Sequence, residues 1–440
     1  MTHTANGKRG LDRLAELQTK FPSIPRSAIV KADVFREGIA WTPDLNVIGR
    51  WAIPHTHMIF DWDHDRLDSK LEVAEGWVLI PAVFQLRDGT TTIVKLAADS
   101  PYTIQTLQGD ARYMLCRDGE EVDEVFFEPR PLWFTRRTRD GTLMCKVVST
   151  AGRHCIFAIT LLSYCHYFKT NEQCVFCCIV PSVDHARELG IERTLKPTVQ
   201  RVLDVYKAAS EEHPIAHFNL TGGGLIDRHR EADLYVRFLE EMMQQLGDNQ
   251  LPWHVITQAL DEDDQRRVVD AGRGNITLCH PLEVWEERLF PILVPGKAKH
   301  VGRQQWIDAM LRAAKLLSPW RATTTIVAGC ETVPPHGFET LGAALKSMEE
   351  YLGFFLEHGV LPRFTFWTPA PGSPWEHVSP PPTEYFLEIS QLQHELYRRH
   401  DVPLLKSTCR KCRTVSLEAD LAAASLPAEG EEAEQLGRHE

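Results

Sequence analysis

Cys165-His166-Tyr167-Phe168-Lys169-Thr170-Asn171-Glu172-Gln173-Cys174-Val175-Phe176-Cys177-Cys178 is a short run with four thiols, three of them in a C-x8-C-x2-C array. Soft thiolates crowded into one loop select zinc, copper or iron–sulfur clusters over hard cations. A structural zinc site normally draws on two close ligand pairs, and the spacing of eight is loose for one. Three cysteines also suit a [4Fe–4S] cluster with one iron left open to a ligand. Cys178 reads as a small buried thiol, since adjacent side chains point differently.

Upstream of this loop, Ile156 to Leu162 is a near-continuous apolar run, as expected of a strand buried on both faces. Downstream, an apolar strand runs into Thr221-Gly222-Gly223-Gly224, where backbone could approach a ligand closely. Strands are expected at 216–220, 253–257, 275–279, 322–327 and 363–367. Helical spacing separates them at 199–209, 231–246, 262–271, 304–317, 341–358 and 384–399. Strands alternating with helices pair in parallel through right-handed crossovers. The expected fold is therefore α/β, a partial (β/α)6 TIM-type barrel over 151–405, with two further strands as an open alternative. In such architectures ligands bind at the carboxyl ends of the strands, where both the cysteine and glycine loops fall.

Residues 1–150 read as a β-rich domain. Asp88-Gly89, Asp118-Gly119 and Asp140-Gly141 each sit between apolar or β-branched runs, a hairpin signal. The part before about Lys70 is less legible. Residues 406–440 carry Cys409-Arg410-Lys411-Cys412 and an Ala/Glu-rich tail expected to be disordered. The C-x2-C suits an auxiliary metal or a reactive thiol pair, which makes Cys409 and Cys412 candidate catalytic residues.

The net charge of -12 argues against a general nucleic-acid binder. There is no apolar run long enough to span a membrane. The eleven cysteines are odd in number and irregular in spacing, so reduced thiols in a cytoplasmic protein are expected rather than disulfides. His55, His57 and the Asp61–Asp65 stretch read as a polar loop with metal-capable side chains. His166 and His280 lie at strand ends, and Lys297 is either a surface lysine or an anion ligand.

The cysteine loop followed one βα unit later by the glycine loop resembles the radical S-adenosylmethionine (SAM) superfamily, over about residues 155–400. The resemblance implies that Cys165, Cys174 and Cys177 ligate a [4Fe–4S] cluster. It implies that Phe176 lies near the adenine of SAM and that Gly222 and Gly223 face its amino group, beside Thr221 and Gly224. Pro281–Trp285, Pro295-Gly296-Lys297 and Val327–Glu331 look like the biotin synthase-like branch. That likeness offers Glu283, Ala328 and Glu331 as further SAM contacts. Gly224 stands where the family carries a glutamate, and Asp227 or a backbone carbonyl is the expected substitute. The implied activity is cleavage of SAM to a 5′-deoxyadenosyl radical that abstracts hydrogen from a small molecule. An electron donor such as flavodoxin or ferredoxin is the implied partner. A zinc-stabilised binding barrel and a radical SAM enzyme acting on a peptide or protein are the alternatives.

Overall fold

The structure is a computed structural model that describes residues 10–55, 63–74, 76–107, 112–150, 155–191, 197–247, 251–403 and 414–425. Six parallel strands run in chain order across one sheet: β1 (Cys155–Leu162), β2 (His217–Gly222), β3 (Trp253–Ile256), β4 (Ile276–Cys279), β5 (Ala322–Ala328) and β6 (Leu361–Phe366). Their order never reverses, which is the winding of a barrel rather than of a doubly wound sheet. A seventh, two-residue strand at Ser149–Thr150 pairs antiparallel with β1. The sheet is open, so the described residues hold the six-strand rather than the eight-strand arrangement.

The crossover helices are α1 (Val199–Glu212), α2 (Arg228–Leu246), α3 (Glu262–Ala271), α4 (Arg303–Leu316), α5 (Leu341–Glu357) and α6 (Thr383–Arg399). Thr198, Asp227, Asp261 and Thr340 cap the first turns of α1, α2, α3 and α5 by accepting a backbone N–H. Each such cap stabilises a helix by about 1 kcal/mol. One face of the sheet packs on these helices. On it Phe218 stacks against Trp253 at 4.4 Å, with Tyr206 of α1 at 5.5 Å from Phe218. By the two-residue period of a strand, Asn219 lies on the opposite face.

The N-terminal region carries the β-rich part that was expected, and helices precede it where the sequence was less legible. It opens with helices at Gly10–Lys20, Arg26–Glu37 and Pro43–Gly49, and only then forms a five-stranded antiparallel sheet. The Asp88-Gly89 and Asp118-Gly119 turns join paired strands as expected. Asp140-Gly141 makes a tight turn closed by one isolated bridge, Arg137 to Leu143, rather than a hairpin of strands. The helix Arg26–Glu37 docks on the β6 side of the barrel: Phe35 meets Phe366 at 5.7 Å and Phe386 at 6.4 Å. Lys31 pairs with Asp420 at 2.6 Å, both side chains nearly sealed from solvent. The chain past α6 returns to the sheet, Phe366 N–H donating to Val415 O, and forms a helix at Glu418–Ala424. Residues 404–413, and with them Cys409 and Cys412, lie outside the described residues, as do His57, Asp61 and the tail beyond 425.

Candidate functional site

Three chain segments meet at the carboxyl ends of β1 and β2. A Cβ on Gly223 would fall 2.1 Å from Tyr164 O and 2.8 Å from Cys165 Cβ; one on Gly222 would fall 2.9 Å from Leu162; one on Gly224 would fall 2.7 Å from the Gln258 amide. The three glycines are thus required by close packing against the cysteine loop and β3. His166 N–H donates to Gly224 O at 2.9 Å, and Gly223 N–H to Leu162 O at 2.8 Å.

Cys165, Cys174 and Cys177 sit within electrostatic reach of one another. Burial pushes all three thiols up, Cys177 to about 12. The backbone N–H groups of Gly224 and Tyr167 counter that effect at Cys165, and that of Ile179 counters it at Cys177. Thiolates here, half-buried among low-dielectric neighbours, would be stabilised by a cation, and amides already point at two of the sulfurs. Among the described residues, no three His, Cys, Asp or Glu side chains converge on a point where a single metal ion would be held. Cys178 is buried at the start of the helix Ile179–Glu188, as expected. Phe176 is half-buried between Cys174 and Cys177 in the chain.

Opposite the cysteines lies an ion pair. Lys297 Nζ donates to Glu283 Oε1 at 2.9 Å and to Pro281 O at 2.6 Å, and stands over the Trp306 ring at 4.2 Å. Lys297 is buried, so it is neither a surface lysine nor free to capture an anion unaided. Its charge reaches Cys165 and Cys174 and favours their thiolates; Glu283 reaches Cys174 and Cys177. Glu283 has φ 72° and bridges β5 through Thr325 O and Val327 N–H, at 2.9 and 3.0 Å. A non-glycine residue held at positive φ costs of order 1 kcal/mol and clusters at functional sites.

Several sequence candidates are committed elsewhere. Glu331 accepts from Gly329 N–H at 2.8 Å and from the Tyr385 hydroxyl, so both carboxylate oxygens already serve the β5–α6 junction. Ala328 is fully buried beside it. His280 is sealed between Thr257 at 3.1 Å and Gln265 at 3.0 Å, a packed histidine rather than a substrate contact. Asp227 caps α2 and is exposed. His55 Nε2 lies 2.9 Å from Val94 O, and His64 stacks on His185 at 3.6 Å. Thr221 is half-buried at the end of β2.

Sequence reading missed the scaffold that braces the cysteine loop. The Tyr167 hydroxyl donates to Gln258 Oε1, and Gln258 Nε2 donates to the buried Glu231 at 2.9 Å. Glu231 also accepts from Leu225 and Gln258 N–H groups at 2.8 and 2.9 Å. On the other side, Glu172 accepts from Thr170 at 2.8 Å, from His300 at 2.7 Å and from Lys299, and its carbonyl accepts from Gly296 N–H. The long spacing between the first two cysteines thus holds a helical turn, His166–Lys169, clipped to the helix Pro295–His300. Gly296 was visible as Pro-Gly-Lys; nothing local marked Glu231 or Gln258.

No protein family and no curated protein matches this sequence. Among solved structures, the chain is similar to methylornithine synthase (PylB) at 14% identity, with a TM-score of 0.35, over 54% of this chain. It spans 61% of that protein's length. A likeness at that level assigns no activity to this chain.

Proposed function

We propose that the chain is a radical SAM enzyme that acts on a polar small molecule held inside the partial barrel. The observation that carries this reading is the packing of the three-glycine loop directly onto a half-buried three-thiol loop at the strand ends. When bound, the cluster would supply one electron to the sulfonium of SAM, splitting a carbon–sulfur bond to give methionine and a 5′-deoxyadenosyl radical. Cys165, Cys174 and Cys177 would hold the cluster. The amides at Cys165 and Cys177 stabilise the thiolate charge. The Lys297–Glu283 pair offers a cation and an anion beside the thiols, suited to a zwitterionic amino-acid group. Gly224 leaves room for Gln258, so Glu283 is the acid offered to the ligand in place of the family's glutamate.

The substrate class rests on the barrel's inward face. Asn219 Oδ1 and Thr325 Oγ1 are buried there and make no hydrogen bond. Buried polar atoms left unsatisfied are uncommon, and a polar ligand would meet their need.

Anaerobic incubation of the reconstituted protein with dithionite and SAM tests the reading. 5′-Deoxyadenosine is the expected product, and it should be absent in Cys174→Ala. A colourless, zinc-bound protein that makes none sinks the proposal.

A further inference from the structure

Beyond residue 150, two large hydrophobic side chains among the described residues stand exposed: Tyr164 at 43% and Ile226 at 41%. They are neighbours. Ile226 N–H donates to His166 Nδ1 at 3.3 Å, and the His166 ring lies 5.7 Å from that of Tyr164. Cations surround them. Lys169 Nζ stands 5.7 Å from the Tyr164 ring, and the charges of Lys169 and Arg230 both reach His166. Lys169 and Arg230 are exposed. The nearby acid, Asp227, caps its helix through the Arg230 N–H at 3.0 Å and sets one negative charge against the two cations. A chain of net charge -12 thus carries a local basic, apolar face. An apolar centre with a charged rim is how transient protein interfaces are built.

The face lies against the site. Tyr164 precedes Cys165 in the chain, its carbonyl packs on Gly223, and Ile226 follows the glycine loop that supports the Cys165 sulfur.

We propose that the surface formed by Tyr164, Ile226, Lys169 and Arg230 docks a small acidic one-electron carrier protein. This rests on the proposed function, whose cleavage consumes one electron that the chain cannot generate. The carrier is oxidised by one electron, the cluster is reduced by one, and no proton or group moves between them. Charge complementarity selects an acidic partner and steers its approach, so binding must weaken with salt.

The test uses the full chain with its cluster reconstituted and bacterial flavodoxin as the probe. The double variant Lys169→Glu/Arg230→Glu should weaken flavodoxin binding by about tenfold or more at low ionic strength. Flavodoxin-driven 5′-deoxyadenosine formation should fall in parallel, while the dithionite-driven rate stays at the wild-type value. Ile226→Ser should weaken binding without changing its salt dependence. Arg399→Glu, a remote reversal, should leave flavodoxin binding within about twofold of wild type. Absence of flavodoxin binding to wild type, or an unchanged dissociation constant in the double variant, overturns the proposal. A wild type silent with dithionite overturns the proposed function instead. Flavodoxin binding then judges the surface alone, by the same tenfold criterion.

Discussion

Gly223 lies so close to Tyr164 that a Cβ at position 223 would meet the Tyr164 carbonyl oxygen at 2.1 Å. That contact joins the loop after β2 to the loop carrying the first cysteine. Backbone cannot yield as a flexible side chain can, so the two loops must part if any larger residue replaces the glycine. Gly223→Ala should therefore cost about 1–3 kcal/mol by overpacking and lower the iron bound per chain. Gly342→Ala, at a position with no heavy atom within 4 Å of the added Cβ, should not destabilise. Chemical denaturation and iron analysis of the two variants read the difference.

Each of Cys165→Ala, Cys174→Ala and Cys177→Ala should lose most of the reconstituted iron, because under the proposed function each removes a direct ligand. Cys178→Ala should keep it, since that thiol is buried at the start of the next helix. Iron retained in Cys177→Ala but lost in Cys178→Ala would show that the ligand register is shifted by one.

Glu283→Ala should weaken SAM binding measured by calorimetry and leave cluster iron in place. Lys297 would then lose its 2.9 Å partner and keep only Pro281 O and the Trp306 ring. Unchanged SAM affinity in this variant would remove Glu283 from the ligand's contacts.

His280 gives the protein an acid sensitivity. Burial depresses its pKa from 6.5 to about 4 in the fold. The unfolded chain therefore binds its proton first as pH falls. Stability from this group is full above about pH 6.5 and declines down to about pH 4, by at most about 1.4 kcal/mol per unit. Most carboxylates are still ionised in the upper part of that window, so the slope between pH 6.5 and 5 reports histidines, His280 with smaller contributions from His166 and His394, whose pKa values burial also lowers. His280→Asn should flatten it, as read from denaturation midpoints across that range.

Lys31 and Asp420 pair 389 residues apart in a nearly sealed site. Asp420→Ala should cost about 3–5 kcal/mol, because it removes the carboxylate that faces a buried ammonium. Lys31→Met/Asp420→Leu should recover much of that loss, since neither charge is then left alone. Thermal denaturation of the single and double variants separates these outcomes.

The parallel strands and their crossover helices were legible because each carries its own periodicity. Glu262–Ala271 was expected at the ends observed, and the other five crossover helices differ by at most three residues at either end. The helix Arg26–Glu37 was not legible. Eight consecutive residues, Ala28 to Phe35, are buried in it, Lys31 and Asp33 included. A helix buried on every side has no apolar stripe against a polar one, so its sequence shows no 3.6-residue rhythm. Its buried charges find partners far along the chain, Lys31 in Asp420 and Asp33 in Thr383, Tyr102 and Arg117.

Sequence alone determined the order of strands and helices, the thiol donors and the glycine loop, because these are local properties of residue type and spacing. The tertiary structure alone decided what surrounds them. It turned Lys297 inward onto Glu283, closed Glu331 against Tyr385, sealed His280, and braced Tyr167 through Gln258 and Glu231. Each of those pairings joins residues brought together by the winding of the barrel. Whether a charged side chain serves the site or the scaffold depends on which partner reaches it first in space, and spacing along the chain carries no record of that.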